Sequence, residues 1–145
     1  MIKNEKQYRI TNAQVRRFQD ALAELAGQQR PSNIAPRLWE AQRQAARSQM
    51  EELREQVKAY ERLHVGQSKV VVLKAVEDLP KALIRARIAA GMTQEGLARR
   101  LGVKPQQVQR YEATEYESAS FARILKVVQA LGLTLPKAVR LVRNA

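Results

Sequence analysis

From Pro36 to about His64 the chain contains no further glycine or proline. Along this stretch Trp39, Ala46, Met50, Leu53, Val57, Tyr60 and His64 recur at heptad-like intervals, and the other positions are mostly Arg, Gln and Glu. That spacing places the apolar side chains on one face of a long amphipathic helix. Such a helix needs a cover for its stripe. It folds back on a neighbour as an αα-hairpin, or it pairs with its twin in a dimer. The stripe is short for a free-standing coiled coil, so a hairpin is expected. A dimer made by two hairpins fits the same pattern.

The neighbour lies upstream. Thr11-Asn12-Ala13-Gln14 reads as a capping box that opens a helix. Val15, Phe18, Leu22 and Leu25 then mark one face, and Gly27 is a stop. "QQRPSNIAPR" breaks the pattern, with Pro36 suited to the first turn of the next helix. Residues 1–65 therefore read as a helical hairpin for dimerisation or partner binding.

Residues 66–77 read as a linker or extended arm. "HVGQSK" carries Gly66 and Ser68, and the β-branched "KVVVL" suits a short strand or an arm. An isolated strand finds no partner here except a second copy of itself.

Residues 78–145 show dense helix signals. Asp78 or Glu77 opens a helix with Pro80 in its first turn, followed by Leu83, Ile84, Arg87 and Ile88, and Gly91 ends it. Thr93 caps a second, Gln94–Leu101, with Leu97, Ala98 and Leu101 inward and Gly102 at its end. Lys104-Pro105 begins a third, with Val108 and Tyr111 inward. Ser120 caps a fourth, with Phe121, Ile124, Leu125, Val128 and Leu131 inward and Gly132 at its end. Thr134-Leu135-Pro136 starts a fifth, with Val139 and Val142 apolar. The expected fold is all-α, a hairpin followed by a compact five-helix domain.

Charge narrows the partner. The formal net charge is +12, with residues 1–65 at +4 and residues 66–145 at +8. A polyanion is favoured, nucleic acid before an anionic membrane surface. There is no cysteine, which excludes disulfides, thiol catalysis and cysteine-ligated metals. His64 is the single histidine and has no carboxylate cluster beside it. No glycine-rich phosphate loop, nucleophile elbow or acid/base pair is present, so neither catalysis nor a cofactor or metal is expected. Trp39 and Tyr60 read as hairpin core, and the mixed charges of Glu51–Arg62 as a solvated face. The longest apolar run, around Val70–Leu73, is too short to span a membrane, and the N-terminus lacks a signal-peptide core. A cytoplasmic protein, nucleoid-associated when bound to DNA, is expected.

The stretch "MTQEGLARRLGVKPQQVQRYEA", followed by "FARILKVVQALGLTL", resembles the Xre-like helix-turn-helix domain of phage repressors and Cro. The likeness covers about Leu79–Leu135. It rests on Gln94, Leu97-Ala98, Leu101-Gly102-Val103, Val108, Glu112 and Ala130-Leu131-Gly132. Small Ala98 suits a close helix crossing, Gly102 a turn with φ > 0, and Val103 and Val108 the lock between two helices. Gln106, Gln107 and Arg110 point away from Val108 and Tyr111. Gln suits adenine and Arg suits guanine in the major groove. Lys104 and Gln94 are placed for phosphates. The resemblance implies a backbone contact at Gln94 and base reading at Gln106 and Arg110. It also implies that Glu112 pairs with an arginine inside the fold, for which Arg99 or Arg100 is available. Gln109 is expected to one side of the reading face.

One segment departs from the family. "ATEYESAS" is about one residue longer than usual, carries Glu115 and Glu117, and lacks Gly and Pro. Acids there repel phosphate. Ser120 and Arg123, at the start of the fourth helix, are expected to take over, with a slightly altered placement of the reading helix. The resemblance thus implies a double-stranded DNA-binding regulator, a repressor acting as a homodimer on an inverted repeat. The alternatives are an antitoxin of the HigA type, which grips a toxin through residues 11–64, and an architectural DNA binder without sequence choice.

Overall fold

A computed structural model describes residues 1–65, 73 and 75–135. The chain divides into two compact units, Met1–Val70 and Val71–Ala145. Every regular element among the described residues is helical. The expected strand or arm at Lys69–Leu73 and the fifth helix from Pro136 onward lie outside the described residues, apart from Leu73.

The first unit packs α1 (Glu5–Gly27) against α2 (Pro36–His64). Tyr8 near the start of α1 stacks on Tyr60 near the end of α2, with ring centroids 5.2 Å apart, so the helices run antiparallel. Val15, Val57 and Tyr60 are buried along the seam. Phe18, Leu22, Leu25, Trp39, Ala46, Met50 and Leu53 are half-buried along it. His64 is exposed and continues the ring stack, 5.9 Å from Tyr60. Pro36 occupies the first turn of α2, as its fixed φ favours.

The start of α1 corrects the sequence expectation. Thr11 and Gln14 lie inside the helix, which begins at Glu5. Asn4 is the cap, accepting from the Gln7 backbone N–H at 2.9 Å. The Gln7 side chain reaches back to the Lys3 N–H at 2.8 Å. The cap bond sought at Thr11 is thus made by Asn4, two turns earlier, and Gln7 reaches back to the residue before the cap. The extra turns bring Tyr8 onto the seam, where its hydroxyl donates to Glu61 Oε1 at 2.7 Å.

The second unit begins with a 3-10 turn, Val76–Asp78, so Val76 and Glu77 belong to a helical turn and not to a linker. It leads directly into α3 (Leu79–Ala89), and no side chain caps that helix. Then come α4 (Gln94–Leu101), α5 (Pro105–Ala113) and α6 (Phe121–Ala130), with α4 packed on both α5 and α6. Leu83, Ile84, Leu97, Val108 and Val127 form the fully buried centre. Each contributes about 1.5–3 kcal/mol relative to exposure. Thr93 Oγ1 caps α4 by accepting from the Gly96 N–H at 3.0 Å. Ser120 Oγ caps α6 by accepting from the Arg123 N–H at 3.2 Å.

The inward face of α6 also differs from expectation. Phe121 is 70% exposed and Leu125 is 40% exposed. Ile124, Val127, Val128 and Leu131 face inward instead. These four follow the i, i+3, i+4, i+7 pattern. Phe121 and Leu125 are offset toward the flank of that stripe, a shift that an apolar-rich segment conceals.

Candidate nucleic-acid interface

Gly102 makes the sharp link between α4 and α5. Its φ is +65°, in the left-handed region that costs a residue with a Cβ. The Val103 N–H donates to the Ala98 carbonyl at 3.0 Å and closes the end of α4. Ala98 is fully buried, as a close crossing between helices requires. Pro105 then starts α5 with Lys104 as its cap residue.

Burial divides α5 into two faces. Val108, Tyr111 and Glu112 are buried. Gln106, Gln109 and Arg110 are exposed, and Lys104 is exposed just before the helix. Gln107 is half-buried, and its Nε2 donates to the Tyr111 hydroxyl at 2.8 Å. Gln109 is exposed as well, on the flank of α5. The exposed face offers two amides and a guanidinium, groups able to meet base edges.

Beneath this face runs a buried polar network. Arg87 of α3 grips Glu112 of α5 through two bonds, Nε to Oε1 at 2.5 Å and Nη2 to Oε2 at 2.7 Å. Arg87 Nη1 also donates to the Met92 carbonyl at 2.7 Å. Arg87 is 3% exposed and Glu112 is 0% exposed, so water screens little of this pair. The partner of Glu112 is therefore Arg87, not Arg99 or Arg100. Arg99 is exposed, and Arg100 Nη1 donates to the Ala130 carbonyl at 2.9 Å. The sequence held the signal, because Arg87 follows Leu83 and Ile84 on the buried face of α3.

Gln94 joins the same network. Its Nε2 donates to Glu112 Oε2 at 2.8 Å, which ties the first residue of α4 to the end of α5. Ser120 is exposed with its hydroxyl capping α6, and Arg123 is half-buried in the first turn of that helix.

The segment after α5 carries two non-glycine residues in the left-handed region, Glu115 at φ +49° and Tyr116 at φ +63°. Tyr116 is 2% exposed, and its hydroxyl has no hydrogen-bond partner among the described residues. Burial pushes this phenol well above its ordinary value, and the Glu112 carboxylate adds to the rise while Arg87 opposes it. Glu115 faces Lys81 of α3 at 3.7 Å, so a cation lies beside one of the loop's acids.

These contacts define two helices joined by a glycine turn, with the second presenting a polar face. Residues 83–137 match the helix-turn-helix family model. The C-terminal half carries a helix-turn-helix domain of the Xre/Cro type. The domain supports a role as a DNA-binding transcriptional regulator, in a family that is not typically enzymatic. Neither a curated protein nor a solved structure matches the chain. Among the described residues, no group of His, Cys, Asp and Glu is placed to hold a metal, and no helix is long and apolar enough to cross a membrane.

Proposed function

We propose that this chain is a sequence-specific double-stranded DNA-binding repressor that works in the cytoplasm as a homodimer on an inverted repeat. The exposure of Gln106 and Arg110 on α5, opposite buried Val108, Tyr111 and Glu112 and with Gln107 half-buried beside them, supports the reading. The second helix enters the major groove, and Arg110 reads guanine while Gln106 and Gln107 read adenine. Lys104 holds a phosphate, and Gln94, Ser120 and Arg123 meet the backbone at the starts of α4 and α6. Two copies place one reading helix per half-site, about one helical turn apart.

The test is selection of bound duplexes from a random pool by the full chain. A palindromic motif with half-sites about one turn apart is expected. Recovery of unselected sequence at all salt concentrations would leave an architectural binder instead.

A second reading follows from the hairpin, which forms a compact unit of its own. In it, the hairpin of residues 11–64 neutralises a toxin and the helix-turn-helix domain regulates the operon. Native mass spectrometry of the purified complex separates the two. A species at twice the 16.5 kDa chain mass supports the plain repressor, and a stoichiometric complex with a second small protein supports the antitoxin.

A further inference from the structure

Gln107 is half-buried at the edge of the polar face of α5, and its amide is already engaged. Its Nε2 donates to the hydroxyl of Tyr111, one turn further along α5. Tyr111 is only 7% exposed, so that hydroxyl is held at the edge of the core. Tyr116 stacks on the Tyr111 ring, with centroids 6.1 Å apart and planes 20° apart. The Tyr116 backbone N–H also donates to the Tyr111 carbonyl at 2.6 Å. The left-handed backbone at Glu115 and Tyr116 turns the chain back to make this contact. Non-glycine residues hold that conformation at a cost, so the packing around them must fix it. The acidic segment therefore backs the tyrosine, and the tyrosine holds the amide.

A glutamine side chain carries two N–H bonds and one carbonyl oxygen. Using one N–H on Tyr111 fixes the plane of the amide and decides which end points where. The second N–H and Oε1 are left without a partner among the described residues. Side by side, a donor and an acceptor match adenine, whose N7 accepts and whose N6 donates. A freely turning amide also donates to the N7 and O6 acceptors of guanine. Holding the amide removes that option before DNA arrives, which lowers the ordering cost of the adenine contact.

We propose that Tyr111 is a positioning residue that selects adenine at the base pair read by Gln107. This rests on the reading face proposed above. The effect is one of base choice, and affinity for DNA in general is unchanged. Tyr111→Phe keeps the ring and its stack and removes only the hydroxyl.

The test compares bound-duplex selections by the full-length wild type, Tyr111→Phe, Gln107→Ala and the double variant. Tyr111→Phe is expected to lower the adenine preference at one position by about two- to tenfold, the size of one hydrogen bond. Preferences elsewhere and the salt dependence stay as in the wild type. In the Gln107→Ala background the further change to Phe has no effect. A wild-type motif that Tyr111→Phe leaves untouched overturns the inference alone. A wild-type pool with no enriched motif overturns the inference and the reading face together. NMR of the wild type provides a check that needs no variant to fold. The Gln107 side-chain amide protons are expected to show contacts to the Tyr111 ring protons in the free protein, and their absence overturns the proposal.

Discussion

Glu112 has no solvent exposure, and its carboxylate accepts hydrogen bonds from Arg87 and Gln94. Removing one member of a buried pair strands the other without water. Glu112→Ala is therefore expected to destabilise the domain by about 3–5 kcal/mol. Arg99→Ala, at an exposed site, is expected to stay within about 0.5 kcal/mol. Urea unfolding of both variants checks the assignment, and equal losses would return Arg99 to contention. Tyr116 gives a pH-dependent counterpart. Its folded phenol keeps the proton at pH values where an unfolded tyrosine, with its ordinary value of 10.0, gives it up. Unfolding then releases a proton, so its contribution to stability is intact below pH 10 and falls as the pH rises above it. Tyr116→Phe is expected to flatten this alkaline decline while leaving stability near neutral pH unchanged or slightly higher, since it removes a buried hydroxyl without a partner. Unfolding curves on either side of pH 10 decide it, and an unchanged decline would point to another group. At this scale the family resemblance implies that Glu112 is structural, and the burial of the α3 face that carries Leu83 and Ile84 selects Arg87 as its partner over Arg99 and Arg100.

Elements were easier to read where punctuation was chemical. Thr93, Gly102, Lys104-Pro105 and Ser120 bound α4, α5 and α6 where capping and turn chemistry place them. Two Asn/Thr-x-x-Gln patterns, at Asn4–Gln7 and Thr11–Gln14, compete for the start of α1. Only the first is followed by uncommitted backbone N–H groups. In α6 the expected Ile124, Val128 and Leu131 face inward, while Val127 takes the place of Phe121 and Leu125, since apolar residues occupy more than one of its faces. The back-turn at Glu115–Tyr116 had no signal, because neither residue is a usual left-handed former. Gly102 tests the turn that sets the two helices. A Cβ added there meets no atom within 4 Å, so the penalty for Ala comes from the φ of +65° alone. Gly102→Ala is expected to cost about 1–2 kcal/mol, and Asn at the same position less. Thermal melting of the three proteins checks the order. An Ala variant as stable as the wild type would mean that the turn relaxes out of the left-handed region.

For the whole molecule, charge is the property that the sequence states most directly. The net charge of +12 is spread over both halves. The buried Arg87–Glu112 pair contributes nothing to it. Contacts with phosphate act through counterion release, so affinity falls linearly on logarithmic axes as salt rises, with a slope of about −0.9 per phosphate neutralised. Lys104 is exposed immediately before the reading helix, whereas Lys58 lies on the hairpin and pairs with Glu55 at 2.8 Å. Lys104→Ala is expected to weaken binding to operator and random duplexes alike and to reduce the slope by about 0.9. Lys58→Ala is expected to leave the slope unchanged. Arg110→Ala acts differently, costing about 1–3 kcal/mol on the operator alone and so compressing the ratio of specific to non-specific affinity. Titrations of both duplexes across a salt series separate the roles. A Lys104→Ala variant that lost discrimination and kept its slope would make Lys104 a base reader. It would also shift the reading face of α5 toward its N-terminal end.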